Sequence, residues 1–267
     1  MKNPYNSKKY KSLLTEYKKN GWVIIKNFLN KKDALSKKKE IFNFLEKNHN
    51  KFSGRDINYL GKKKQFSKIT SFHQLEKIKK IKFISTSGQI NKLAQFFLFN
   101  KKPELRASEL FVKPPKSKHA TPIHQDAPYW NVKGNKGLTI WIALSNSKKI
   151  NGSVFYFNKS HKKGIFDHSP SFVKGSSQKV SKQRLLKNYE KVVTNLNPGD
   201  VLVHHCLTVH GSYSNKSNEK RIGWTFAYKQ KSAPYDLKKT KKFENSLFGQ
   251  IKKREKNYIS QSRIKKN

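Results

Sequence analysis

The sequence predicts an α+β chain, helical over its first hundred residues and a β jelly roll after that. Three observations predict it. Apolar residues recur at helical spacing as far as Phe99. From Glu104 the period changes to two, in seven short runs separated by Pro, Gly and Asn clusters. No internal repeat or heptad cuts across that order, so helices first and short strands afterwards reads as one mixed domain over residues 1–267.

In chain order, Tyr10, Leu13, Leu14 and Tyr17 mark an amphipathic helix that Asn20 and Gly21 stop, and a strand follows over Trp22–Ile25. Asn30 caps a second helix with an apolar stripe of Ile41, Phe42 and Leu45. Residues 49–70 read as a polar loop. Ser71 and Gln74 have capping-box spacing for a further helix, and Ile90–Phe99 forms another. The strand-like runs are Glu104–Lys113, Ala120–Asp126, Leu138–Leu144, Ser153–Phe157, Val192–Leu196, Val201–Thr208 and Arg221–Tyr228. An insertion at 158–191, containing Gly and Ser and read as mobile, interrupts this core over 101–228. Residues 229–267 form a basic segment, read as a peripheral helix with a frayed tail.

Composition narrows the function. The formal net charge is +43, from 59 basic against 16 acidic residues, which suggests nucleic acid, anionic membrane or an anionic substrate as partner. Only six of those bases are Arg, however, and planar bidentate recognition of phosphate favours Arg, so a bias toward Lys accounts for most of the excess. Cys206 is the only cysteine, which excludes an intrachain disulfide and a cysteine zinc site. The first residues lack the apolar centre of a signal peptide and no run reaches the length of a membrane span, so a cytoplasmic location is expected.

The chemistry gathers at Thr121–Trp130. On a strand, residues two apart face the same way, so His124 and Asp126 can present an imidazole and a carboxylate to one metal ion. His210 offers a third ligand and would complete a 2-His-1-carboxylate triad with open positions on Fe(II). His204 and His205 are equally available from sequence. Thr139, Trp141 and Ala143 share the strand face opposite Leu138, Ile140, Ile142 and Leu144, and could line a cavity. Cys206, Thr208 and His210 share a face if their strand is regular. Arg221 shares its face with the small residues Gly223, Thr225 and Ala227, which makes an anion pocket in a chain with few acidic partners.

Together these stretches resemble the phytanoyl-CoA dioxygenase family of Fe(II)- and 2-oxoglutarate-dependent oxygenases. The resemblance rests on Glu16–Phe28, Lys113–Trp130 with its HQDAPYW, Leu138–Leu144, Asn151–His161, and Pro198–Ser212 followed by Asn215 and Arg221. It implies a cupin-like double-stranded β-helix with the N-terminal helices packed on one sheet. It also implies iron on His124, Asp126 and His210, Arg221 on the distal carboxylate of 2-oxoglutarate, and Ser212, Trp141 and Lys113 near that co-substrate. O₂ would be consumed and succinate and CO₂ released as a small molecule is hydroxylated. Because Asp126 is retained, hydroxylation is expected rather than halogenation. Two departures stand out: Asn158, Lys159, Ser160 and His161 replace a Pro-Gly-Ser-His turn, and Gly223 replaces a common Ser or Ala.

Tyr129, Trp130 and the 158–191 insertion are the expected substrate walls. The sequence names neither the substrate nor the oligomeric state. A nucleic-acid-binding protein of oxygenase fold is the alternative that the charge motivates; it predicts a basic groove with exposed aromatics leading to the iron.

Overall fold

Thirteen strands, all paired antiparallel, form the frame of the computed structural model, which describes residues 5, 7–53, 56–61, 63–78 and 88–264. Seven build one sheet in the order β1-β11-β6-β13-β4-β3-β2: β1 (Trp22–Ile25), β2 (Ile57–Tyr59), β3 (Ile69–Phe72), β4 (Pro103–Lys113), β6 (Gly137–Ala143), β11 (Val201–His205) and β13 (Arg221–Gln230). Four build the facing sheet in the order β10-β7-β12-β5: β5 (Thr121–His124), β7 (Val154–Phe157), β10 (Lys191–Val193) and β12 (His210–Ser212). A separate hairpin pairs β8 (His168–Val173) with β9 (Ser176–Val180).

The period-two pattern decides which way each sheet faces. Leu138, Ile140, Ile142, Ile222, Trp224, Phe226 and Tyr228 turn outward from the large sheet into the main core. There they meet Tyr17 from helix α1 (Lys8–Asn20), Ile41 and Leu45 from α2 (Lys31–Asn48), and Ile90, Leu93 and Phe97 from α3 (Gly88–Phe97). Each such aliphatic side chain contributes roughly 1.5–3 kcal/mol by leaving water, so this layer anchors the sheet. The N-terminal helices therefore pack on one sheet, as expected. The opposite face carries Trp22, Trp141, Ala143 and Leu202, which meet Val154 and Tyr156 of the small sheet in a second core.

Local signals hold where their chemistry is met. Asn30 accepts a hydrogen bond from the Asp33 amide at the start of α2, and Gly21 ends α1 at φ +85° with its amide on the Tyr17 carbonyl. Other expectations need correction. Residues 49–70 are not simply loop, because β2 and the start of β3 lie there. Ser71 caps no helix: it lies in β3, and only a 3₁₀ turn over Leu75–Lys77 follows before residues 79–87, which lie outside the described ones. Pairing with β4 outweighed the capping signal. The insertion contains the β8–β9 hairpin, and the peripheral helix is α5 (Leu237–Ile264); the end of the frayed tail, 265–267, lies outside the described residues. No described helix is long and apolar enough to cross a membrane.

Candidate active site

Two strands of the small sheet bring His124 and His210 together. They are direct register partners across β5 and β12, with ring centroids 4.3 Å apart. Strand β5 ends at His124, so Asp126 does not share a regular strand with it; Asp126 sits in helical backbone at the start of the one-turn helix α4 (Ala127–Trp130). That turn still aims the carboxylate at the imidazoles, with Oδ1 3.7 Å from Nε2 of each histidine. The expected regular strand through Thr208 is likewise replaced: β11 stops at His205, a turn follows, and His210 belongs to the opposite sheet. The chain crosses between sheets there, and the Thr208 hydroxyl holds the crossing by donating to the Gly21 carbonyl.

Among the described residues, His124, Asp126 and His210 are the group whose ligand atoms lie within 4.8 Å of one another. The atoms behind them are occupied. Nδ1 of His124 donates to the Pro122 carbonyl at 2.7 Å and Nδ1 of His210 to the Thr208 carbonyl at 2.9 Å, which turns both Nε2 lone pairs inward. Asp126 Oδ2 accepts from Thr139 Oγ1 at 2.6 Å and from His204 Nε2 at 3.0 Å, leaving Oδ1 for a metal. The Tyr156 hydroxyl donates to Nδ1 of His204 at 2.9 Å and so fixes the tautomer that serves Asp126. Burial pushes the pKa of both ligand histidines down, that of His210 well down, so the imidazoles are neutral at neutral pH. Burial alone would raise the Asp126 pKa; the histidines around it outweigh that and hold it well below the usual carboxylate range. Two neutral imidazoles and one carboxylate are the donor set that Fe(II) takes, and the residues present fit that ion.

The anion pocket adjoins this group. Arg221 is 2% exposed, and among the described residues no carboxylate pairs with it. Its Nε donates to the Gly152 carbonyl and its Nη2 to Ser212 Oγ at 3.3 Å, two residues along β12 from His210. The guanidinium lies 5.6 Å from the Trp141 ring centre, and burial pulls its pKa down to about 9, which leaves it charged at neutral pH. Lys113 is Arg221's register partner on β4, 3% exposed, with Nζ donating to the His119 carbonyl. Its pKa falls well below the ordinary value because of burial and then of Arg221. Two buried basic side chains side by side, with no carboxylate beside them among the described residues, form a site suited to an anion.

His124, Asp126, His210, Arg221, Ser212, Trp141 and Lys113 thus come together. His204 lies outside the candidate metal group and bonds to its Asp126, and His205 points elsewhere, its Nδ1 accepting from the Leu207 amide. Sequence reasoning gave Thr139 only a place on a cavity wall and missed Tyr156 and Gln125. The buried Gln125 side chain spans the Gly164 and Leu207 carbonyls and accepts from the Phe166 amide, tying the insertion to the turn before β12. A polar side chain between two ligand-bearing residues was the available signal.

A family model of phytanoyl-CoA dioxygenase (PhyH) matches residues 17–223. The chain belongs to the phytanoyl-CoA dioxygenase family. The peroxisomal phytanoyl-CoA dioxygenase of Bos taurus is 27% identical over 229 residues, and that of Homo sapiens 25%; each alignment covers 79% of this chain and 66% of the relative. The chain therefore spans just under two thirds of the length of those curated relatives. Among solved structures, the epimerase SnoN of nogalamycin biosynthesis, in complex with Fe3+, alpha ketoglutarate and nogalamycin RO, has a TM-score of 0.68 at 18% identity, covering 84% of this chain and 85% of that one. EctD from S. alaskensis with bound Fe has 0.69 at 16%, covering 88% and 81%. These likenesses show that the chain shares the fold of those structures.

Within the family frame, both departures have physical reasons. A Cβ at Gly223 would fall inside the Trp141 indole, so glycine there lets the ring lie toward Arg221. In the altered turn, Ser160 keeps the structural bond: its hydroxyl donates to the Phe157 carbonyl and accepts from the Val209 amide, next to His210.

Proposed function

We propose that this protein is an Fe(II)- and 2-oxoglutarate-dependent dioxygenase that hydroxylates a small molecule and releases succinate and CO₂. Its single domain holds one iron on His124, Asp126 and His210, while Arg221 and Lys113 take the distal carboxylate of 2-oxoglutarate beside Ser212 and Trp141. The observation that carries this reading is the convergence of three inward-facing ligand atoms with a buried guanidinium that has no acidic partner among the described residues.

Bound iron supplies the activation of O₂ and the oxidising power. The chain's own residues do the rest. Thr139 and His204 keep Asp126 engaged through one oxygen, which preserves open positions on the metal. Arg221 pairs with a carboxylate through its planar fork and sets the co-substrate's orientation. Tyr129 lies edge-on to His124 and bonds through its hydroxyl to Gln178 of β9, so the hairpin covers the site and excludes water. A cytoplasmic location accompanies this reading, supported by the single cysteine; the curated relatives are named as peroxisomal, and cell fractionation distinguishes the two.

The test is iron content. Wild-type protein reconstituted anaerobically should hold one Fe(II) per chain, and His210→Ala should hold none although His204 and His205 remain. Full iron in that variant would reject the ligand assignment.

A further inference from the structure

Beyond the residues assigned above, the inner face of the large sheet carries a second cluster of titratable side chains. Register places it. Thr225 of β13 pairs with Glu109 on one side and Trp141 on the other, one row along from Ala227 and Thr139. Thr139 is the residue that holds Asp126, so Glu109 lies on the same inner face, two strands over and one row up. By strand spacing that is on the order of 10 Å. Its carboxylate is close enough to feel the charge of Asp126.

His73 follows β3 directly and comes opposite Glu109. Its Nδ1 donates to Glu109 Oε1 at 2.6 Å, and its Nε2 lies 3.0 Å from Ser71 Oγ and 3.3 Å from Asn58 Nδ2. The row Glu109–His73–Ser71–Asn58 thus runs across β4, β3 and β2. The tip of the β8–β9 hairpin roofs it: a Cβ on Gly175 would stand 2.9 Å from Ser71 Oγ. Enclosed as it is, the Glu109 side chain keeps 29% of its surface open and His73 keeps 17%. Among the described residues, Oε2 of Glu109 has no hydrogen-bond partner. Burial favours the neutral acid, but His73 and then Arg106 outweigh it and hold the carboxylate ionised.

The two buried basic side chains near the iron ligands suit 2-oxoglutarate, and Asp126 is taken by the metal. Glu109 is left as an acid paired with His73 through one oxygen only, its other oxygen facing the interior, in a chain with 59 bases and 16 acids. An apolar acyl chain laid across the His73–Glu109 pair would strip water from the one carboxylate oxygen that His73 does not satisfy. A protonated amine would instead satisfy the free oxygen with a charge-assisted hydrogen bond.

We propose that Glu109, positioned by His73, is the substrate-anchoring residue and that the hydroxylated substrate is a small molecule carrying a protonated amine. This rests on the dioxygenase reading above, so the experiment separates the two. Purified protein with Fe(II) and 2-oxoglutarate is assayed for succinate release with three sets of probes: amino acids and polyamines, neutral sugars and polyols, and fatty acyl-CoAs. The anaerobic charge-transfer absorption of Fe(II) with 2-oxoglutarate is recorded in parallel. The amine set is expected to stimulate succinate release in the wild type. Glu109→Gln should raise the KM for the active amine at least about tenfold, and Glu109→Asp, which keeps the charge, should recover part of the loss. With the charge-transfer absorption present, stimulation by only sugars or acyl-CoAs, no stimulation by amines, or equal KM values in wild type and Glu109→Gln would each overturn the proposal. Absence of that absorption in the wild type would count against the dioxygenase reading instead.

Discussion

Asp126 can bind a metal through one oxygen because its other oxygen is already in use. The two donors to Oδ2 set the carboxylate's direction, and removing partners behind a metal ligand typically costs about 10–100-fold in metal affinity. His204→Phe, which keeps the ring volume but removes the N–H, should therefore weaken Fe(II) binding by about tenfold or more, whereas His204→Gln should recover part of it through its own amide N–H. Equal affinities in an anaerobic Fe(II) titration of the three proteins would make His204 a packing residue only. At Arg221 the charge matters less than the fork. Arg221→Lys keeps a cation but loses the bidentate geometry, at a cost on the order of 2 kcal/mol, or about thirtyfold in 2-oxoglutarate affinity. Iron affinity should barely change, and unaltered 2-oxoglutarate binding would reduce Arg221 to a structural role.

Elements explain why most of the site could be read from the sequence and part of it could not. Alternation along β6 and β13 assigned Trp141 and Arg221 to the inner face, because the side-chain period of a strand is fixed once one face is apolar. The same rule failed at Asp126 and at Cys206–Thr208, where the backbone leaves the strand. The candidate site still assembles there because register across β5 and β12, not periodicity within one strand, pairs His124 with His210. The tie from His204 to Asp126 spans 78 residues between two sheets, and no local pattern announces such a contact. Capping signals were reliable where the helix had a core to join, as at Asn30, and misleading at Ser71, whose strand found a partner in β4. Gly223 tests this packing. Gly223→Ala forces a methyl into the Trp141 ring, so it should destabilise the fold by roughly 1–3 kcal/mol and loosen 2-oxoglutarate binding. Urea unfolding equal to wild type would mean that the indole has room to move.

The whole molecule carries a charge whose pH response follows from its buried histidines. Burial pushes His119, His168 and His205 from the ordinary 6.5 down to about 4. Between those values the unfolded chain binds protons that the folded protein does not, so stability rises with pH through that window and is lost as pH falls through it. Urea midpoints measured from pH 7.5 to 4.5 should decline most steeply below about 6.5; a flat profile would place these rings in contact with water. Iron binding should follow a similar direction, since protons compete for the ligand imidazoles and the lowered pKa values of His124 and His210 move that competition toward acid.

On the proposed reading, metal triad and anion pocket form a single site in which iron and 2-oxoglutarate meet. Titrating 2-oxoglutarate into the anaerobic Fe(II) protein tests it most directly, because the visible charge-transfer absorption appears only when the keto acid chelates the metal. The absorption is expected to saturate at one 2-oxoglutarate per iron in the wild type and to be missing in His210→Ala. Iron bound stoichiometrically with no such absorption would contradict that reading.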